Sequence, residues 1–298
     1  MWNPQNENWQ VRAASLLTAD PARLAHCGDA LSDVAAIALA AQTCVDAMLG
    51  EVVVCTRQTP RAWRPHWMAF QWCCIAGRWE LANAMLERCC AQSSLVSPFL
   101  DQYRACLQAE SHRVKVFHDS RIGHPSVLVG TNRRATRRPE QRPLASRSRP
   151  CALAVDRNQL WAPAGTTNLG AFTWLKDGDD RLGPMIEVFL GERYVWIPFQ
   201  SIARIDLTPV TYLLDRVWRP VVLLLRDGRQ LAGFLPARYI GSQTASDAVR
   251  LGYRTLWAPL GATHKVGLGE RQYCFERGCW PLSRLTTMRF LPSASESG

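Results

Sequence analysis

"VVLLLRDGRQLAGFLP", residues 221–236, is the strongest local signal in the chain. Residues 221–225 are continuously apolar, which reads as a buried strand. Asp227-Gly228 is hairpin-turn chemistry, and residues 230–235 return as a second strand. Upstream, "MIEVFLGERYVWIPF" (185–199) repeats the arrangement. Residues 186–190 pair through a Gly191-Glu192 turn with residues 193–197, and Pro198, which cannot donate to a ladder, ends the strand. "SIARIDL" (201–207) adds another strand through Ile202, Ile205 and Leu207, and a closing strand falls near residues 287–290. The half beyond residue 168 is therefore a mostly antiparallel, barrel-like or mixed β domain with one or two short helices.

The N-terminal half has helical spacing. "GDALSDVAAIALAAQTCVDAML" (28–49) places Leu31, Val34, Ile37 (or Ala38) and Ala41 on one face. In "TPRAWRPHWMAFQWCCIAGRWELANAMLERCCAQ" (59–92) a helix over 65–76 turns Trp67, Phe70 and Cys74 to one side. Gly77 closes it, and a second helix over 79–91 points Leu81, Ala84, Met85 and Cys89 inward. A third helix spans 98–117. The order W-x2-F, Gly, W-x-L-A-x-A resembles a degenerate tetratricopeptide helix pair. Small residues at Ala82 and Ala84 permit close helix approach, and such a stack offers a concave face to a partner helix or peptide. One pair is fewer than the three or so units such stacks need, so this one leans on the rest of the protein.

Between the halves, "TNRRATRRPEQRPLASRSRP" (131–150) holds seven Arg and one acid, Glu140, which is +6 of the formal +10 of the 298-residue chain and leaves +4 elsewhere. With no aromatic and one Leu it reads as a solvated linker. It supports a nucleic-acid reading only weakly, because no aromatic is interleaved to stack on bases. "CALAVDRNQLWAP" (151–163) reads as a short helix ending before Pro163. The expected organisation is a helical domain at 1–128, a linker at 129–168 and a β domain at 169–298, an α+β chain.

Eleven Cys without framework spacing, no signal-like start and no membrane-length apolar run imply a reduced, cytoplasmic protein with free thiols. Cys73-Cys74 and Cys89-Cys90 are adjacent pairs. Neighbours on a helix diverge by about 100°, so they fit core packing, not a zinc knuckle. The six His form no H-x3-H pair. No metal or cofactor site is expected.

"GFLPARYIGSQTASD" (233–247) raises a catalytic question. Ser242 follows Gly241 but lacks the second Gly of a nucleophile elbow, and only His264 comes after it. Asp177, Asp179 and Asp180 could serve acid/base or metal chemistry, yet "KDGDDRLGP" is equally a turn. The hydrolase reading stays below a structural one, in which Gly241 takes a positive φ and Ser242 or Ser246 caps the next helical turn.

Six motifs in order carry a resemblance. They run from Phe172 and Trp174 through Asp177, Asp179, Arg181 and Leu182-Gly183-Pro184. Tyr194, Trp196, Pro198 and Phe199 follow, then Asp215, Val217, Trp218 and Pro220. Pro236, Tyr239 and Gly241-Ser242 come next, then Arg254, Thr255 and Trp257, and last Gly267-Leu268-Gly269 with Arg271. In this order they resemble the ImpE/TagJ family of bacterial type VI secretion accessory proteins. The helical half resembles it more loosely. Val221 stands where relatives have Ala, Glu270 where they have Gln, and the Arg/Pro run where they have two helices.

The resemblance implies a non-enzymatic adaptor. Its expected partners are the N-terminal helix of the small contractile-sheath subunit and the AAA+ unfoldase that disassembles contracted sheath, with no membrane. Partner-contact candidates are Trp218, Arg219, Tyr239, Arg254, Trp257 and Arg271, Arg and Trp being common interface anchors. Against that stands a structural role: Trp in the core, and Arg181 and Arg271 pairing with Asp177, Asp179 or Asp215.

Overall fold

The computed structural model describes residues 44–92, 97–118, 126–127 and 163–292. Residues 28–43 of the helix expected over 28–49, the Arg-rich run and the short helix expected before Pro163 lie outside them.

Four helices come first: α1 (Val45–Gln58), α2 (Trp63–Ala76), α3 (Trp79–Gln92) and α4 (Ser97–His118). α2 stops where expected. Gly77 turns left-handed at φ 69°, a conformation that favours glycine, and the N–H groups of Gly77 and Arg78 close on Cys74 and Cys73 carbonyls. α3 is rotated from the expected phase. Ala82, Leu86 and Cys89 are buried with Met85, whereas Leu81 and Ala84 face outward. The phase follows Trp79, whose ring stacks on Trp218 at 5.9 Å. Positions 79, 82, 86 and 89 then form one stripe.

The strands follow. β1 (Ser126–Val127), β2 (Gly165–Thr167), β3 (Gly170–Phe172) and β4 (Lys176–Asp177) are short. β5 (Met185–Leu190) with β6 (Arg193–Pro198), and β8 (Trp218–Leu225) with β9 (Gln230–Pro236), are the two expected hairpins. β7 (Ile202–Leu207) precedes β8. After a single helical turn, α5 (Asp247–Arg250), come β10 (Thr255–Leu260), β11 (His264–Gly269), β12 (Gln272–Phe275), β13 (Gly278–Pro281) and β14 (Thr287–Phe290).

Nine strands form one sheet in the order β1-β6-β5-β9-β8-β7-β14-β2-β3, antiparallel except where β1 joins β6. β13-β12-β4 and β10-β11 are separate small sheets. The chain is α+β as expected, but the sheet is open: β1 and β3 stand at opposite ends and do not pair. Both faces of the sheet are used. Phe189, Tyr194, Trp196, Trp218 and Phe234 point into a core shared with α1–α4. Ile186, Val188, Val221, Leu223 and Leu235 point the other way, into a second core with Tyr273, Met288 and Phe290. The helices thus use the sheet as the surface their single pair lacks.

The free-thiol expectation also needs correction. Antiparallel register sets Cys274 opposite Cys279, and the two form a disulfide across β12 and β13. Cys44, Cys55, Cys73, Cys74, Cys89, Cys90 and Cys106 are free. Among the described residues no helix is long and apolar enough to cross a membrane.

Candidate functional site

Three acids and three arginines meet where α4 crosses the sheet. Glu110, Arg113, Asp177, Glu187, Arg238 and Arg271 are each at least nine-tenths buried. Isolated charges would be prohibitively costly there, so the arrangement depends on mutual pairing. Arg113 grips Glu187 through Nε and Nη2 (2.9 and 2.8 Å) and reaches Glu110 through Nη1 (2.9 Å). Its Nη2 also donates to the Arg238 carbonyl at 2.9 Å. Arg271 bonds Glu187 and Asp177 and donates to the Pro236 carbonyl at 2.9 Å. Tyr194 donates to Glu187 (2.6 Å) and accepts from Trp196 Nε1 (2.6 Å). Burial pushes Asp177 up to about 6 against the pull of Arg271, and pushes Arg238 down to about 10.

The loop after β9 fastens the helices to this cluster. Arg238 donates to the carbonyls of Ile75 (2.9 Å) and Cys74 (3.0 Å), at the negative end of α2. Tyr239 hydroxyl donates to the Gln272 carbonyl and accepts from its N–H, both at 3.0 Å. Gly267 is a glycine because the Tyr239 ring passes over it: a Cβ there would lie 2.2 Å from Cδ2. Gly241 has the expected positive φ, 86°. Ser242 hydroxyl donates to the Tyr239 carbonyl and accepts from Gly269 N–H at 2.7 Å, and the side chain is 2% exposed. Its hydroxyl is committed to two backbone groups, while His264 sits 4.0 Å from Asp180. Ser246 takes the N-cap position of α5 without a side-chain cap bond.

The acidic turn is equally committed. Asp177 is held by Arg271, Asp179 takes Arg181 at 2.9 and 2.6 Å, and Asp180 takes Lys176 at 3.0 Å and Lys265 N–H at 2.8 Å. Among the described residues no three His, Cys, Asp or Glu are placed to hold a metal ion.

The structure separates the six contact candidates. Trp218, Arg219, Tyr239 and Arg271 are at most 2% exposed and offer a partner no surface. Trp218 Nε1 donates to Glu110 at 3.2 Å, and Arg219 donates to the carbonyls of Thr208 and Leu285. Burial pushes Arg219 down to about 10. Arg254 is exposed. Trp257 is half-buried, its ring 5.6 Å from Tyr239 and capped by the Lys265 ammonium at 4.2 Å. Sequence reasoning passed over Glu110, Arg113 and Glu187. The available signal was Glu187 itself, one acid inside the apolar run M-I-E-V-F-L, which demands a buried cation.

Residues 170–289 match the ImpE protein family. Over that span the chain is similar to the ImpE family. That span contains every quoted motif from Phe172 to Arg271, and with them Asp177, Glu187, Arg238 and Arg271 of the cluster, whereas Glu110 and Arg113 lie before it. The chain is also 28% identical over 233 residues to the type VI secretion system accessory component TagJ of Pseudomonas aeruginosa, covering 75% of this chain and 79% of that protein. The X-ray structure of protein VPA1032 from Vibrio parahaemolyticus shares the fold beyond the ImpE region, with TM-score 0.70 at 20% identity over 85% of this chain and 96% of that one.

Proposed function

We propose that this chain is a non-enzymatic, cytoplasmic accessory protein of a type VI secretion system. It binds the N-terminal helix of the small contractile-sheath subunit and so modulates sheath assembly or disassembly by the AAA+ unfoldase. The observation that carries the reading is the 233-residue similarity to an accessory component of that system. The commitment of Ser242 and the Asp177–Asp180 turn to internal bonds supports an adaptor over a hydrolase. The hairpin of α2 and α3 is read as a tetratricopeptide-like unit completed by the sheet. A helix seated on a rigid surface is a physically sensible mode of recognition for such a protein.

The test is a titration of the full chain into a labelled peptide carrying the N-terminal helix of the cognate small sheath subunit. Saturable anisotropy change is expected. No binding, together with no co-purification of the intact sheath subunit, would reject the reading.

A further inference from the structure

The hairpin of β12 and β13 has two unlike faces. Directly opposed residues share a face, and faces alternate along each strand. Tyr273, in the second apolar core, stands opposite Trp280, which packs against that core together with Phe275. The Phe275 and Trp280 rings stack at 3.7 Å. Cys274 stands opposite Cys279 on the other face, and neither belongs to either apolar core. Their disulfide therefore bridges the strands on the side away from the core.

Three observations set this bridge apart from a structural staple. The aromatic face already holds the hairpin, so the register does not depend on the bridge. The bridge joins residues only 5 apart in sequence, and a loop that short removes little entropy from the unfolded chain. Cys279 is exposed, so a thiol in solution can reach its sulfur, whereas Cys274 is 6% exposed. Exposed disulfides are the labile ones. The two Cα atoms lie 4.0 Å apart, so the opened pair stays within bridging reach while the register holds.

The hairpin tip also holds a neighbouring segment. Glu276, between the two cysteines, accepts from the N–H of Thr173 with both carboxylate oxygens, at 3.2 and 3.1 Å. Thr173 directly follows β3, the end strand of the nine-stranded sheet. Trp280 meets the Phe172 ring of the same strand edge-on at 6.3 Å.

We propose that Cys274–Cys279 is a reversible redox site that takes a dithiol reductant, and that its opening frees Glu276 from Thr173. A reductant thiolate attacks Cys279 Sγ. The bond to Cys274 breaks as the new S–S bond forms, and Cys274 leaves as a thiolate that takes a proton from water. The second reductant thiol gives up its proton and attacks the mixed disulfide. Cys279 is released, takes a proton, and the reductant closes its own disulfide. Two electrons pass from the dithiol to the cysteine pair. In the reducing compartment that the proposed function implies, disulfides are usually transient and redox-sensing or catalytic. The exchange itself does not depend on that function.

The experiment uses the full chain and dithiothreitol. Accessible thiols are first blocked with N-ethylmaleimide, and thiols released by the reductant are trapped with a maleimide of different mass. Cys274 and Cys279 should be labelled at least about tenfold faster than the buried Cys73, Cys74, Cys89 and Cys106, which react only when the helical core opens. Melting should stay cooperative, hydrogen exchange of the Thr173 amide should rise at least about tenfold, and oxidised glutathione should close the pair again. Labelling of the pair only in step with the four buried thiols would make the bridge a structural staple and overturn the proposal. So would a pair that is already reduced in the purified protein and that oxidised glutathione does not close. Unchanged Thr173 exchange after opening overturns the coupling to Glu276. Cys279→Ser should fold and show the exchange of the opened protein, and its failure to fold counts against the proposal as well. These outcomes stand whether or not the sheath peptide binds.

Discussion

Arg113 and Glu187 meet through two parallel hydrogen bonds although 74 residues separate them, one on α4 and the other inside β5. This fork joins helices to sheet where both side chains are buried. Arg113→Met should cost on the order of 3–5 kcal/mol, because it strands a buried carboxylate. Urea midpoints of the variant and the parent measure it. A loss under about 1 kcal/mol would mean that the cluster reorganises freely.

Arg238→Met removes the cation from the C-terminal carbonyls of α2. The variant should melt lower. Hydrogen exchange should rise first in the last turn of α2 and in the loop at 236–242, ahead of β8. Uniform acceleration across the chain would argue against a local clasp.

Asp177 titrates near 6 in the folded protein against an ordinary value of 3.8, because burial disfavours its charge. The native state therefore holds the proton more tightly than the unfolded chain does. The stability this group contributes is full below pH 3.8 and is lost as pH rises through about 6. Relative to an Asp177→Asn variant, the parent should lose about 3 kcal/mol between about pH 3 and pH 7. Parallel stability profiles for the two proteins would refute that assignment.

Gly267→Ala places a methyl group against the Tyr239 ring. Overpacking of this kind costs about 1–3 kcal/mol. Tyr239→Ala also destabilises, but Gly267→Ala should cost little in that background, where the clash is gone. Additive losses in the double mutant would show that the ring is not what requires glycine.

The strands were legible in the sequence where turn chemistry and alternation agreed. Gly191-Glu192 and Asp227-Gly228 mark hairpins whose strands start and end within a residue of the expected places, except that β8 begins three residues early, at Trp218. The phase of α3 was not legible, since Leu81 and Ala82 are both compatible with an inward face. The choice is made by Trp79 meeting Trp218, a contact no local window contains. The site failed for the same reason. Trp218, Arg219, Tyr239 and Arg271 have the composition of an interface, and their burial depends on helices and loops arriving from elsewhere. Glu187 was the exception, a charge in the middle of an apolar strand that announces a partner without naming it.

The grip of Arg238 on α2 bears on how the chain is made. The side chain lies 163 residues after the Ile75 carbonyl it holds. At ~5–20 residues per second a ribosome needs on the order of ten to thirty seconds to supply it. Throughout that interval the emerging helices have neither their cation nor the sheet face that covers Trp79 and Tyr103. The nascent N-terminal half should bind chaperones that recognise apolar surface, and ribosome-stalled chains ending before residue 236 should be digested by protease where longer ones resist.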